Sequence, residues 1–190
     1  MGKFTFGFFL VLLIVAGCGF YIYKTTGYMF GLDSTIFSRG TINISTQDFI
    51  SGGKIPSDFT CDGRNVSPTF LLEHVPGDAK SLVIVLDDAN STPKYFTHWL
   101  AFNIDPNTNI IETSKVLGNS VVGMNDFGNP EYDGPCPPFG ETHTYYFRVF
   151  ALDTTLNLNE NSKRVNLESA MNSHIIARGL TSGTYLRKEN

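Results

Sequence analysis

Three stretches of the chain carry apolar residues in the rhythm of strands. Residues 81–88, "SLVIVLDD", form an apolar run too short for a typical helix and rich in Val, Ile and Leu. It predicts a strand buried on both faces. "HWLAFNID", 98–105, follows after the polar connection "ANSTPKYFT", and "TYYFRVFALD", 144–153, is the third clear strand. "TINISTQDFI", 41–50, alternates over its first half and predicts an opening strand. "PSDFTCDGRNVSPTF", 56–70, is dense in Asp, Gly, Asn, Ser and Pro and predicts a long loop. Short β runs between turn clusters point to a mainly β fold, an antiparallel sandwich. No internal repeat is visible. One helix is expected near the C-terminus, where "NLESAMNSHIIARGL" spaces Leu167, Met171 and Ile175 four apart and Gly179 can close it.

The N-terminus follows another pattern. "FTFGFFLVLLIVAGCGFYIY", Phe4 to Tyr23, carries no charge and is bracketed by Lys3 and Lys24. A run of about twenty apolar residues can cross the hydrocarbon core as a helix. Two forms of tether are open: an uncleaved signal anchor, or a lipoprotein signal in which "LIVAGC" places small residues before Cys18. Both hold the domain at a membrane, with export the expected side. The organisation is then a signal anchor or lipoprotein signal over 1–24, a linker over 25–40 and one domain over 41–190.

Composition narrows the partners. Net charge is -4 and no basic block appears, which argues against nucleic acid. Cys61 and Cys136 are the cysteines of the domain. In an exported protein they form either a disulfide or two buried thiols.

The candidate chemistry lies at strand ends. Asp88 ends one strand and His98 begins the next, so an antiparallel pairing brings them to one rim of the sheet. There a carboxylate would raise the His98 pKa and fix its tautomer. His143 and Tyr145 are two apart and share a strand face, which Phe147, Val149 and Ala151 continue as an apolar floor. An imidazole and a phenol can both donate to a phosphate or carboxylate oxygen. The preceding loop, "YDGPCPPFG", combines Gly134 and Gly140 with Pro135, Pro137 and Pro138. Prolines fix φ and remove N–H groups, so such a wall is held in place before a ligand arrives. A cysteine hydrolase at Cys136 is disfavoured by flanking prolines, and no G-x-S-x-G elbow supports a serine hydrolase. His98, His143 and Asp88 lack a tight metal-ligand spacing, so no metal or other cofactor is expected.

"FTCDGRNVSP" (59–68), "NDFG" (125–128), "YDGPCPPFG" with "HTYYFRVFALD" (132–153) and "AMNSHIIARGLTSGTY" (170–185) occur in order. Together they resemble the bacterial and archaeal branch of the phosphatidylethanolamine-binding protein family, that of the Raf kinase inhibitor protein. The last segment is similar to the family's C-terminal helix and tail. The resemblance implies a sandwich of two antiparallel sheets with a small helical element and a pocket for phosphate-bearing head groups or similar anions. It assigns Asp88, His98, Gly134, Pro137, Pro138, His143 and Tyr145 to that pocket. The family's acid-Pro-acid-Ala-Pro pattern is broken here: Leu86 replaces the first acid and Asn90 the last Pro. Asp87 could supply the missing carboxylate if the backbone shifts.

The expected function is non-enzymatic capture of a small anionic ligand by a membrane-tethered, extracytoplasmic domain. The alternative is inhibition of a protease, or a kinase, through the pocket rim.

Overall fold

The structure is a computed structural model that describes residues 40–92, 95–112 and 120–189. The apolar run Phe4–Tyr23, Cys18 and the linker from Thr25 to Arg39 lie outside the described residues. Among the described residues no helix is long and apolar enough to cross a membrane.

Among the described residues nine strands and one α-helix follow in order: β1 Gly40–Thr41, β2 Asn43–Ser45, β3 Phe70–Glu73, β4 Ser81–Asp88, β5 Phe96–Ile104, β6 Ile110–Ile111, β7 Val121–Val122, β8 Thr142–Leu152, α1 Arg164–Met171 and β9 Ile175–Leu186. They form a six-stranded sheet, β1-β9-β8-β4-β5-β7, and a three-stranded sheet, β2-β3-β6. Pairing is antiparallel except that β1 runs parallel to β9. The opening stretch is therefore not one strand. Gly40–Thr41 joins the large sheet, Asn43–Ser45 joins the small one, and the chain changes sheet at the buried Ile42.

The core fills the space between the sheets. Leu82, Ile84 and Leu86 of β4, with Phe147, Val149 and Ala151 of β8, meet Ile44, Phe70, Leu72 and Ile111 of the small sheet. The rings of Phe70 and Phe147 stand 4.7 Å apart. All eight residues of β4 are buried, which explains its unbroken apolar run.

The C-terminal segment departs from its sequence periodicity. The helix spans only Arg164–Met171 and buries Leu167 and Met171. Ile175 opens β9, and Gly179 lies inside that strand rather than closing a helix. Ser173, at φ 69°, turns the chain out of the helix. A strand of twelve residues then pairs with β8 along its whole length. That ladder, with the burial of Ile176 and Ala177, outweighs one further helical turn. Gly179 is fitted to the strand: a Cβ there would lie 2.5 Å from the Ile42 carbonyl oxygen.

Candidate functional site

The site begins with an irregularity between β4 and β5. Leu86 pairs with Trp99 and Asp87 with Thr97, which leaves His98 as an extra residue in β5. Such a bulge re-aims side chains. Thr97 turns to the outer face and donates its hydroxyl to Asp87 Oδ1 at 3.2 Å. Trp99 enters the core, and His98 meets the edge of Tyr145 at 5.4 Å between ring centroids.

His98 is held from the loop that follows Glu131. Its Nδ1 lies 2.9 Å from the Asp133 carbonyl oxygen and 3.0 Å from that of Gly134. Both partners are acceptors, so Nδ1 carries the proton and Nε2 presents a lone pair in the neutral ring. Burial pulls the His98 pKa below its usual value, outweighing the two carbonyl bonds and the charges of Asp88 and Asp133. Phe96 and the half-exposed Phe127 flank the ring at 5.3 and 5.2 Å.

The loop is itself fixed. Asn125, 1% exposed, donates its amide to Asp133 Oδ2 at 2.7 Å and to the carbonyls of His98 and Glu131. Asn65, at φ 55°, accepts the Gly134 N–H at 2.8 Å. Tyr132 donates its hydroxyl to the Phe59 carbonyl. The Cys61 N–H donates to the Pro135 carbonyl, and a disulfide joins Cys61 to Cys136 with Cα atoms 5.4 Å apart. Two loops far apart in sequence thus become one wall. Gly134 lets them touch: a Cβ there would lie 2.2 Å from the Phe59 carbonyl oxygen. Pro137 is buried in this loop and Pro138 exposed.

On the other side stand His143 and Tyr145 of β8, both on the inward face. Asp88 does not bond His98, as the sequence suggested. Its Oδ2 lies 2.6 Å from His143 Nδ1, while its Oδ1 accepts the N–H groups of Asn90 and Ser91 and shapes the turn after β4. His143 Nε2 meets Glu141 at 3.1 Å. Burial lowers the His143 pKa, but the hydrogen bonds and charges of Asp88 and Glu141 raise it further, so the net shift is upward. The two imidazoles are therefore shifted in opposite senses: the surroundings favour the protonated ring at His143 and the neutral ring at His98.

Tyr145 is wholly buried, and its hydroxyl has no hydrogen-bond partner. It lies toward the Asp88 carboxylate and the Cys136 backbone without reaching bonding geometry with either. Burial, with the Asp88 charge, raises its pKa and keeps the phenol protonated.

Asp87 does not stand in for the missing acid. It lies on the outer face, fully buried, with Arg148 on Oδ2, Arg164 of α1 on Oδ1 and the Thr97 hydroxyl. Leu86 is fully buried in the core. The structure thus gathers Asp88, His98, Gly134, His143 and Tyr145, with Pro137 and Pro138 in the adjoining wall. Sequence reasoning passed over Asn65, Asn125, Asp133, Glu141, Phe96 and Phe127. Asn65, Asn125, Asp133 and Phe127 lay inside the loop stretches that carried the resemblance, but their work depends on partners tens of residues away. Among the described residues no cluster of three or more His, Cys, Asp or Glu could hold a metal ion.

Comparison with known proteins bears on the family and the fold. Residues 45–186 match the family model "Phosphatidylethanolamine-binding protein". A UPF0098 protein of Methanothermobacter thermautotrophicus is 40% identical over 151 residues, covering 77% of this chain and 99% of the relative. One from Pyrococcus horikoshii is 44% identical over 141 residues, 70% of this chain and 71% of the relative. A solved phosphatidylethanolamine-binding protein homolog from Chlamydia trachomatis superposes with a TM-score of 0.73 at 33% identity, covering 78% of this chain and 99% of that one. Escherichia coli YbcL, described as a member of the mammalian family, also gives 0.73, at 26% identity over 77% of this chain and 99% of its own. The chain belongs to the phosphatidylethanolamine-binding protein family, among its bacterial and archaeal UPF0098 members.

Proposed function

We propose that this protein is a non-enzymatic receptor for a small oxyanion, held at a membrane by its N-terminal apolar run. The observation that carries the reading is the unpartnered hydroxyl of the buried Tyr145, beside a His98 ring whose orientation is set by two backbone carbonyls. A buried phenol without an acceptor costs free energy that a ligand oxygen can return. The wall opposite is held by a disulfide and by Asn65 and Asn125, so little ordering remains to be done on binding. His143, between Asp88 and Glu141, has its protonated form favoured nearby. No side chain here is built as a nucleophile: Cys136 is consumed in the disulfide.

The test is a phosphate titration at constant ionic strength, with chloride as the control, followed by the fluorescence of Trp99, the single tryptophan. Saturation by phosphate that is lost in His98→Ala supports the pocket. An identical response in the variant removes it. Membrane attachment is tested by alkaline extraction of cell membranes, from which the full chain should not be released.

A second reading, inhibition of a protease through the rim, draws on Phe127, 48% exposed against His98, and Phe139, 52% exposed. Phe127→Ser would abolish peptidase inhibition while leaving the phosphate response within about twofold.

A further inference from the structure

Three Asn-X-Ser/Thr triplets stand in the domain, at Asn43, Asn65 and Asn90. In an exported chain this is the acceptor pattern for an N-linked glycan. The sugar attaches to the side-chain amide nitrogen, and the hydroxyl two residues on completes the pattern. The fold decides which triplet can carry the product. The amide nitrogen must face solvent, and neither the amide nor the hydroxyl can be needed inside.

Asn65 fails on both counts. Its Oδ1 accepts the Gly134 N–H at 2.8 Å, and its Nδ2 lies 3.5 Å from Asp133 Oδ1. The hydroxyl of its triplet belongs to Ser67, which is buried and donates to the Pro68 carbonyl at 3.1 Å. A sugar on Asn65 would part the two loops of the wall. Asn90 is exposed, but its Oδ1 accepts the Thr144 N–H at 2.8 Å and ties the turn after β4 to β8. Pro93 follows that triplet and restricts the backbone of Thr92.

Asn43 meets both conditions. Asn43 and Ser45 are the two ends of β2, both exposed, with the buried Ile44 between them. Two apart on an extended strand, they share one face, so amide and hydroxyl are presented together. Neither side chain makes a hydrogen bond among the described residues. Across the sheet Asn43 pairs with Glu73, which is exposed as well, so a glycan meets no covering element there.

The place also has something to cover. β2 is an edge strand of the small sheet. The Leu72 N–H donates to the Asn109 carbonyl on the β6 side, so Ile44, opposite Leu72, turns its own N–H and C=O to the free edge. On the face of Asn43, the residues Ser45, Leu71 and Ile110 lie in one row, with Ile110 44% exposed. Open strand edges invite pairing with other chains, and a bulky hydrophilic group on the neighbouring residue screens this one.

We propose that Asn43 is a glycan acceptor, and that Asn65 is not. The donor is an oligosaccharide linked to a polyisoprenoid phosphate or diphosphate. A bond forms between Asn43 Nδ2 and the anomeric carbon of the sugar. The bond from that carbon to the phosphate oxygen breaks, and the polyisoprenoid phosphate leaves with the electron pair. The amide proton passes to a base of the transferase, and nothing is oxidised or reduced. The modification is independent of the pocket. It requires only that the domain lie on the exported side of the membrane.

The test is mass spectrometry of the full chain, purified in detergent from the cells that naturally make it. Trypsin cuts after Arg39, Lys54, Arg64, Lys80 and Lys94, so each triplet falls on its own peptide: 40–54, 65–80 and 81–94. Added sugar mass is expected on 40–54, less on 81–94 and none on 65–80. Asn43→Gln and Ser45→Ala, both at exposed positions, should each remove the sugar from 40–54 completely, and Ser45→Thr should keep it. A bare 40–54 peptide, more sugar on either other peptide, or sugar that survives Asn43→Gln overturns the assignment. Protease added outside spheroplasts of the same cells separates the two ways to fail. A domain that is cut from outside yet bare at Asn43 overturns the glycan alone. A domain that the protease cannot reach takes down the exported placement as well.

Discussion

Asp87 and Asp88 are neighbours in the chain and lead opposite lives. Asp87 points to the outer face of the large sheet, where Arg148, Arg164 and Thr97 enclose it. Arg148 is itself stacked 4.8 Å from the centre of the Tyr146 ring. Asp88 points inward at the rim, where it shapes a turn and holds His143 beside an unpartnered phenol. The outer cluster ties α1 to β4 and β8 with every carboxylate oxygen bonded. The inner cluster leaves Nε2 of His98 and the hydroxyl of Tyr145 without partners among the described residues. A saturated polar cluster is architecture. An unsaturated one, braced by its surroundings, is a site.

The comparison is tested most strongly on the outer face. Asp87→Ala leaves Arg148 without its carboxylate at a largely buried position and Arg164 with Glu168, and should cost about 3–5 kcal/mol of stability in urea unfolding. Phosphate affinity measured on the remaining folded protein should hardly move. A variant of near-native stability would show that the outer cluster is not architecture.

Gly134→Ala comes next. Its new Cβ would meet the Phe59 carbonyl and the Thr60 Cα at 2.2 and 2.9 Å, so backbone must shift. The expected loss is about 2 kcal/mol, together with weakened phosphate binding, because the displaced Gly134 carbonyl helps orient His98. Undisturbed binding in this variant would detach the wall from the site.

Asp88→Asn keeps an acceptor for the turn but removes the charge on His143. Stability should fall by about 1 kcal/mol, and the His143 pKa, followed by NMR titration, should drop. An unchanged His143 titration would deny that Asp88 sets it.

The smallest effects are the opposed pH slopes of the two imidazoles. The His143 pKa is raised above the usual 6.5. Its contribution is therefore complete below that value and lost as pH rises through the folded pKa. The His98 pKa is lowered, so the unfolded chain takes up the proton first and stability is lost as pH falls below 6.5. In stability measured against pH, His143→Gln should flatten the alkaline side of the profile and His98→Gln the acid side. Slopes of the same sign would contradict the opposed shifts of the two rings.

Much of this molecule was legible in its residues. The unbroken run of β4 announced a strand buried on both faces, and the alternation of β8 placed His143 and Tyr145 on one side with an apolar floor behind them. Two side chains that share a strand face need no tertiary information to be put together. The stiffness of the loop around Gly134 and Pro137 was equally local, because it follows from the φ angles those residues permit. The partners across the fold were not legible. The bulge at His98 follows from how β4 and β5 meet, and it decided that Thr97 and His98 would face opposite clusters. Two adjacent carboxylates look interchangeable in a sequence. Only sheet pairing shows that one is sealed between arginines and the other is at the rim. The helical spacing of Leu167, Met171 and Ile175 was a local signal of the same kind, and it lost to the ladder β9 forms with β8. Periodicity and backbone restriction are properties of neighbouring residues, so the chain carries them openly. Hydrogen-bond saturation depends on groups brought together from distant positions, and here it is what separates the site from the scaffold.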